Sequence, residues 1–392
     1  MLIIKLAFRN LMGAGIRTWL NVFVLSLAFV MIIWVQGLIQ GMNEYAVQST
    51  IDYEAGGGQF WHRDYDPYDP LSFEDSHAPL SPALAALVSR GQATPILVAS
   101  GAIFPEGRVQ SAVLRGIAPG QQILRLPSAE LDIAGEELIP ALIGAQMATQ
   151  TKLRVGDEVT IRWRDVHGTF DADDVRIAQI MNVSAPAADL GQIWLPLESL
   201  RRMLQAPGQA SYVILSRDIE NIPAGGEAWI YRDLDFLLKE ITELVRMKSA
   251  SSNILYGLLL FMGLLAIFDT QVLAIWRRRR EIGTLMALGM ERRAVIALFT
   301  FEGALHGLLA LIVGAIYGIP VLAYSLSRGL AMPAMQGDFG IALPQNLYPA
   351  YGLRLLVGTT LLVLIAVTVV SFLPASKIAR LKPTDALRGK TP

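Results

Sequence analysis

Four apolar stretches constrain the fold of this chain more than any other feature, because each is long enough to cross a membrane as a helix. About 20 helical residues span the roughly 30 Å of hydrocarbon in a bilayer. The stretches run from Trp19 to about Leu38, from about Ile254 to Trp276, from about Ala294 to Tyr324 and from about Leu353 to Leu373. The length of the third predicts a tilt or a bend near Pro320, and Pro374 is expected to end the fourth. The chain is therefore predicted to be a four-span membrane protein.

The first stretch has the basic lead-in of a secretory signal peptide, with Lys5, Arg9 and Arg17 before it. Its apolar run is longer than the roughly 7–15 residues of a signal peptide, and residues 40–44 show no small-residue cleavage site. We interpret it as a retained membrane anchor.

Charged residues predict the orientation of the spans. Segments 1–18, 277–293 and 374–392 hold 14 Lys/Arg and three acids, whereas segment 44–250 holds 17 Lys/Arg and 28 Asp/Glu. Short flanks rich in Lys and Arg stay in the cytoplasm. Both termini are therefore predicted inside and segment 44–250 outside. The predicted order is an amphipathic lead-in helix 1–18, span 19–43, extracytoplasmic domain 44–250, span 251–276, cytoplasmic helix 277–293, span 294–324, extracytoplasmic loop 325–352, span 353–373 and cytoplasmic tail 374–392.

The external segment is large enough for a core of its own. Glu158–Trp163 and Val175–Ile180 alternate as half-buried strands do, and Pro82–Val88 and Leu197–Leu204 have the pattern of short helices. The predicted fold is a membrane α-helical protein with one span before and three spans after a large extracytoplasmic α/β domain.

Several kinds of chemistry are excluded by the residues present. The absence of Cys excludes disulfides, Cys-type zinc sites and thiol nucleophiles. The four His have no paired-ligand spacing, no G-x-S-x-G sequence occurs, and a net charge of −1 argues against a nucleic-acid binder. Gly389-Lys390-Thr391 lacks the Gly that a phosphate loop requires at position 384. We expect neither catalysis nor a metal nor a nucleotide in this chain.

An acidic run contains Asp64, Asp66 and Asp69, which in principle suit calcium. It lacks the Gly and the distal Glu of an EF-hand loop. We interpret the run as a solvated loop.

Small residues form a stripe along the third span. Close backbone approach over small residues drives helix association in lipid, where the hydrophobic effect gives little help. The stripe predicts close packing, either within one protomer or between two. Its members, which a 3.6-residue period places on one face, are Gly303, Gly307, Ala310, Gly314 and Gly318.

Three ionisable residues lie in or near the spans, namely Asp269, Glu302 and His306. Charges at this depth are costly and usually face protein or water. Glu302 and His306 are one turn apart, which suits a proton or ion relay. The alternative is that Glu302 and Asp269, each about two turns from the cytoplasmic Arg cluster, are solvated or paired there.

The loop 277–293 carries an amphipathic pattern. Ile282, Leu285, Met286 and Gly289 share one helical face, with charge at both ends. Such a helix offers an apolar stripe to lipid headgroups or to a protein groove. The simpler alternative, that the Arg run only sets topology, leaves the amphipathic helix unexplained.

Three segments carry a family resemblance. Arg-Arg-Glu-Ile-Gly-Thr-Leu-Met-Ala-Leu-Gly at 279–289 resembles the signature of the FtsX/MacB/Lol class of ABC transporter permeases. Ala7–Leu11 with Arg17 and Thr18 resembles the class's amphipathic first helix, and 374–388 resembles its tail. The absence of a fused ATPase domain, the domain size and Gly-Gly-Gln-Phe-Trp-His at 57–62 are similar to the lipoprotein-releasing LolC/LolE branch. Segment 165–174 departs from the extended, Pro-containing hook of that branch, since it is short, polar and free of Pro.

The resemblance implies an inner-membrane permease that forms a homo- or heterodimer and recruits two separate ATPase subunits. The ATPase subunits would bind ATP and Mg²⁺, and this chain would bind no cofactor. The cargo would be a lipoprotein or similar amphiphile, with membrane lipids and a periplasmic chaperone or adaptor as further partners. The residues expected to couple to the ATPase are Arg280, Glu281, Ile282, Gly283, Leu285, Ala287, Leu288 and Gly289.

An acyl chain would need an apolar cavity between facing protomers. Candidate lining residues, each of which also suits ordinary lipid contact or packing, are Met42, Tyr45, Leu255, Leu258 and Met262. Two alternatives stay open: the same architecture serving drug or peptide export or the regulation of a cell-wall hydrolase, and a membrane receptor without an ATPase partner.

Overall fold

The computed structural model describes residues 16–132, 138–181, 191–219, 221–331 and 346–378. These residues form two compact units, one of 44–244 and one that combines 16–43, 245–331 and 346–378. Residues 1–15 and 379–392 lie outside the described residues. They include most of the predicted lead-in helix, most of the predicted tail, and Gly389-Lys390-Thr391.

Four long helices dominate the second of these units, and all four are long and apolar enough to cross a membrane. They extend beyond the predicted spans because hydropathy reports only the apolar part of a helix, whereas polar residues such as Glu243 and Arg246 continue it. The helices are α1 (Ile16–Thr50), α6 (Lys239–Arg277), α8 (Arg292–Arg328) and α9 (Leu353–Ile378).

Both span prolines lie inside helices. Pro320 is within α8, and Pro374 is within α9, which continues to Ile378. The expectation that Pro374 ends the fourth helix is wrong. Proline fixes φ near a helical value and removes a single hydrogen bond, and membrane helices tolerate that loss when neighbouring groups compensate. Pro374 is buried here, next to the buried Ala375.

The helices of this unit pack around an apolar core. The connection between α8 and α9 includes a two-residue ladder of β12 (Leu330–Ala331) with β13 (Asn346–Leu347). The buried core residues are Val22, Leu25, Phe29, Val30, Ile33, Ile267, Ala310, Val363 and Val367.

The other unit, 44–244, is built on a nine-stranded sheet of order β11-β1-β10-β3-β4-β8-β5-β7-β6. The strand bounds are β1 Gln59–His62, β3 Ala93–Ile103, β4 Gln110–Ile117, β5 Ile139–Gly144, β6 Glu158–Arg164, β7 Phe170–Met181, β8 Gln192–Pro196, β10 Tyr212–Leu215 and β11 Trp229–Arg232, with a separate pair β2 Ala78–Pro79 and β9 Gln209–Ala210.

Six of these strands close on themselves, because β3 pairs with β6 as well as with β4. The pairs β4–β8 and β5–β7 are parallel, and the other ladders of the ring are antiparallel. Alternate residues such as Val159, Ile161 and Trp163 enter one buried core with Leu97 and Ile193. The alternation predicted for β6 and β7 is therefore confirmed.

Short helices pack beside the sheet. They are α2 (Pro82–Ser89), α3 (Ala145–Thr151), α4 (Leu197–Met203) and α5 (Leu234–Leu237). The predicted helices at Pro82–Val88 and Leu197–Leu204 match α2 and α4 to within one residue. The Ser81 hydroxyl caps α2 by accepting from the Leu84 amide at 3.3 Å. Asp233 caps α5 in the same way, through the Phe236 amide at 2.8 Å. Such caps satisfy amides that have no partner within the helix.

Candidate functional site

The predicted helix at 277–293 folds as the short helix α7 (Arg279–Ala287) between α6 and α8. Arg278 joins α6 to α7, since its amide donates to the Ala274 carbonyl at 3.1 Å and its carbonyl accepts from the Ile282 amide at 3.0 Å. The backbone of Arg278 therefore belongs to the hydrogen-bonding pattern of both helices.

A glycine lies just beyond the end of α7. The Leu288 amide still donates to the Thr284 carbonyl at 2.9 Å, and Gly289 then adopts φ of +98°. Glycine reaches positive φ without the steric cost that a Cβ brings. The chain reverses over four residues before α8 begins at Arg292.

One face of α7 packs against the long helices of its own chain. Ile282 is 1% exposed, and Gly283 is also buried. The expectation that the apolar stripe faces lipid or a partner is therefore wrong for Ile282, because its apolar surface is already covered within the chain. The cluster around them comprises Ile275, Ile282, Val295, Phe299 and Ala375, with Met286, Met290 and Ile296 at its margin.

A buried ion pair joins this region to α8. The Arg278 guanidinium donates to the Glu302 carboxylate at 3.2 Å and to the Glu281 carboxylate at 2.9 Å. The Glu302 side chain is 7% exposed, whereas that of Glu281 is 65% exposed. The same guanidinium lies over the Phe299 ring, 5.4 Å from its centroid. Arg278 was not among the predicted site residues, because it lies within a run of four arginines.

The opposite face of α7 is open to solvent. Leu288, just past its end, is 79% exposed. The side chain of Leu285 lies outside the described residues. The predicted coupling residues that are exposed are Arg280, Glu281, Ala287, Leu288 and Gly289.

The small-residue stripe of α8 lies against other helices of the same chain. A Cβ on Gly303 would clash with the Ser371 side chain of α9, and one on Gly318 would stand 2.7 Å from Val30 of α1. These close approaches are of the kind that small residues allow in membranes. All five stripe residues, Gly303, Gly307, Ala310, Gly314 and Gly318, are buried.

The three ionisable residues of the spans occupy different environments. The Glu302 carboxylate bonds to Arg278, and His306 Nδ1 lies 2.8 Å from the Glu302 backbone carbonyl rather than from its carboxylate. Asp269 is exposed on α6. The contact between Glu302 and His306 described here runs through the helix backbone, and the Glu302 carboxylate pairs with Arg278 of the Arg cluster, as the second alternative anticipated.

The candidate cavity residues share no enclosed environment. Met42 and Tyr45 are half-buried on α1. On α6, Leu255, Leu258 and Met262 are 48%, 56% and 63% exposed.

The acidic run of the α/β unit makes turn contacts. The Asp66 carboxylate accepts from the Tyr68 amide at 2.9 Å, and the Asp69 carboxylate accepts from the Leu71 amide at 3.0 Å. Among the residues that the structure describes, no group of three or more side chains is arranged to hold a metal ion.

The predicted loop 165–174 is a tighter hairpin than expected, because β7 already begins at Phe170. The Asp165 carboxylate holds the turn by accepting from the amides of His167 and Thr169 at 2.9 and 2.8 Å. Beside this hairpin lies a groove of about 250 Å³, in which Arg164 donates to both Glu74 carboxylate oxygens at 2.9 and 3.2 Å.

Comparison with known proteins shows what this arrangement of membrane-length helices is similar to. Residues 253–383 match the family model described as FtsX-like permease C-terminal. That range contains most of α6 and all of α7, α8 and α9. The chain is an ABC transporter permease.

Known relatives support the same assignment beyond this domain. The chain is 25% identical over 325 residues to the lipoprotein-releasing system transmembrane protein LolC of Xylella fastidiosa, covering 74% of this chain and 76% of that protein. It is 26% identical over 263 residues to the macrolide export ATP-binding/permease protein MacB of Rhodopirellula baltica, covering 66% of this chain but 34% of the relative. These similarities are consistent with a permease of the FtsX/MacB/Lol class.

Proposed function

We propose that this chain is the permease subunit of a transporter that extracts lipoproteins or similar amphiphiles from the outer leaflet of the inner membrane. The cargo is inferred from the similarity to LolC, whose name describes lipoprotein release, over about three quarters of both chains. The energy would come from ATP bound with Mg²⁺ by ATPase subunits that this chain recruits.

The two-sided placement of α7 carries the proposal. Ile282 is buried against the chain's own helices, while Leu288 is 79% exposed just past the end of the same helix. A helix held firmly on one side and open on the other is suited to receive a partner and pass on its movement. We assign the open side, with Glu281 and Ala287, to the ATPase subunit.

The proposed orientation follows the charge pattern. Both termini and α7 would lie in the cytoplasm, with one span before the α/β unit and three after it, and the α/β unit would lie in the periplasm. Two permease protomers and two ATPase subunits would form the transporter, and the exposed α6 residues Leu255, Leu258 and Met262 would then face a cavity between protomers.

In this mechanism nucleotide binding and the external conformation share a coupling free energy. Closure of the ATPase subunits on ATP moves α7, and the long helices carry the movement outward. By linkage, cargo that favours one external conformation must change the affinity for nucleotide by the same factor.

A surface substitution tests the partner. Leu288→Glu places a charge on the open side and is expected to abolish co-purification of the ATPase subunits, with unchanged membrane insertion. Leu71→Glu is the matched control, because Leu71 is also 79% exposed but lies in the α/β unit. Gly283→Trp is unsuitable, since Gly283 is buried. Full ATPase retention by the Leu288→Glu variant would contradict the proposed docking side, and a wild-type chain that retains no ATPase would support a receptor instead.

The cargo needs a separate measurement. Triacylated lipoprotein is expected to co-purify with the complex in nanodiscs and to stimulate ATP hydrolysis, whereas the same protein without acyl chains should do neither. Stimulation by a macrolide or peptide alone would favour the export function named for the MacB relatives. A periplasmic chaperone or adaptor is a further candidate partner and can be tested in the same preparation. The segment to examine for docking is the five-residue turn 165–169.

A further inference from the structure

The guanidinium of Arg278 is a meeting point of three elements. Arg278 connects α6 to α7 through its backbone, and its side chain bonds to Glu281 of α7 and Glu302 of α8. The Phe299 ring of α8 lies one turn before Glu302 on the same face, beneath the guanidinium at 5.4 Å. One side chain thus ties α7 to the first third of the third membrane-length helix, α8.

The two ion pairs of Arg278 differ in strength for a physical reason. The Glu281 side chain is 65% exposed, so water competes for its charge and the pair contributes little. The Glu302 side chain is 7% exposed, so its charge has lost most of its hydration, and the bond to Arg278 compensates part of that loss. Removing one partner of such a buried pair leaves a charge uncompensated, which is strongly unfavourable.

The apolar contacts of α7 do not fix its position by themselves. Ile282 packs with Val295 and Phe299, but dispersion and burial are non-directional and tolerate a small slide of one helix along another. A guanidinium–carboxylate bond is directional, so a slide of α7 against α8 would break it.

We propose that the Arg278–Glu302 pair locks α7 to α8, so that a displacement of α7 is carried into the third span as a rigid-body movement. Arg278 and Glu302 are positioning residues in this scheme, and neither contacts cargo or nucleotide. The inference rests on the proposed function for its role in transport, but the mechanical lock is a property of this chain alone.

Distance measurements test the lock. The chain has no Cys, so Thr284→Cys on α7 and Leu308→Cys on α8, both at exposed positions, introduce only two spin-label sites. In nanodiscs without ATPase, the wild-type background is expected to give a narrow label–label distance distribution. Glu302→Gln should at least double its width, and the double variant Arg278→Gln/Glu302→Gln should do the same without leaving a buried charge unpaired.

Two further variants separate positioning from general stability. Glu281→Gln removes the exposed partner of the same arginine and should leave the distribution narrow. Arg278→Lys keeps the charge but loses the planar fork, and should give an intermediate width. A double variant that melts like wild type and keeps a narrow distribution would overturn the proposal.

The same variants in complex with ATPase subunits test the functional consequence. The double variant should retain the ATPase and hydrolyse ATP, while cargo release per ATP falls by roughly 3- to 30-fold. Normal release per ATP would overturn the role in transport. Loss of ATPase binding by the wild-type chain would instead count against the proposed function, and the label distances would still decide whether the lock exists.

Discussion

Gly303 of α8 lies directly against Ser371 of α9, so closely that a Cβ at position 303 would overlap the serine side chain. The Gln271 side chain of α6 approaches the same point at 3.2 Å. Three membrane-length helices therefore meet at a position that admits only hydrogen in place of a side chain.

Gly303→Ala is expected to lower the free energy of unfolding by about 1–3 kcal/mol, because an extra methyl group in a packed site forces its neighbours apart. Thermal unfolding in detergent measures the effect. Gly358→Ala in α9 is the control: a Cβ there meets nothing within 4 Å, and alanine gains up to about 1 kcal/mol of helix propensity. Ser371→Gly should rescue the Gly303→Ala variant. Equal stability of the two alanine variants would show that the helices separate more easily than the structure indicates.

Asp52→Asn is expected to destabilise the α/β unit by about 1–3 kcal/mol, since bonds to a charged group are stronger than neutral ones. The Asp52 side chain is 7% exposed, and its carboxylate pairs with Arg125 at 2.9 Å and also with Arg217. Chemical denaturation followed by tryptophan fluorescence gives the value. Glu74→Gln, which breaks a half-exposed pair with Arg164, should cost less than about 1 kcal/mol. A larger loss from Glu74→Gln than from Asp52→Asn would contradict this ranking.

Alkaline pH should release one contact of the α/β unit. The hydroxyl of Tyr68 donates to the Glu240 carboxylate, and this bond raises the pKa of Tyr68 to about 12. Since the folded state favours the neutral phenol, the stabilisation is complete below pH 10 and is lost as the pH rises from 10 to 12. A difference ultraviolet titration of wild type against Tyr68→Phe should isolate this late-titrating group. In the Glu240→Gln variant its midpoint should fall toward 10, and an unchanged midpoint would exclude the hydrogen bond as the cause.

An interhelical hydrogen bond joins α1 to α6, because the Asn21 amide donates to the Thr270 hydroxyl at 2.6 Å. A double-mutant cycle of Asn21→Val and Thr270→Val is expected to give a coupling of about 0.6–1.7 kcal/mol, the range measured for such bonds in membranes. Thr368→Val is the matched control, since the Thr368 hydroxyl bonds the Leu364 carbonyl of its own helix. A coupling near zero would mean that each side chain finds another partner when the first is removed.

Hydropathy and periodicity correctly predicted the helices and strands that depend on local sequence. The bilayer demands continuous apolar runs, so the four membrane-length helices were evident, and the 3.6-residue period placed Gly303 and Gly318 on one face. Alternation likewise predicted β6 and β7. Proline was overinterpreted at Pro374, because a missing amide costs one hydrogen bond and does not by itself stop a buried helix.

Contacts between residues that are distant in the chain could not be predicted from the sequence. The pairing of β3 with β6 closes the sheet and places Gly101 opposite Trp163. The sequence of neither strand indicates which strand it pairs with. The periodicity of α7 showed that Ile282 and Met286 share a face but not what covers it. In the same way, four consecutive arginines gave no sign that Arg278 reaches Glu302, 24 residues further along the chain.

The small-residue stripe on α8 limits which mutations this protein can accept during evolution. Its upper and lower parts touch different neighbours, with Gly303 against α9 and Gly318 against α1. Inserting or deleting a single residue between them would rotate one part by about 100° relative to the other and present bulky side chains to one of the two helices. Substitutions are therefore tolerated at outward-facing positions of this segment, whereas insertions and deletions between Gly303 and Gly318 are not.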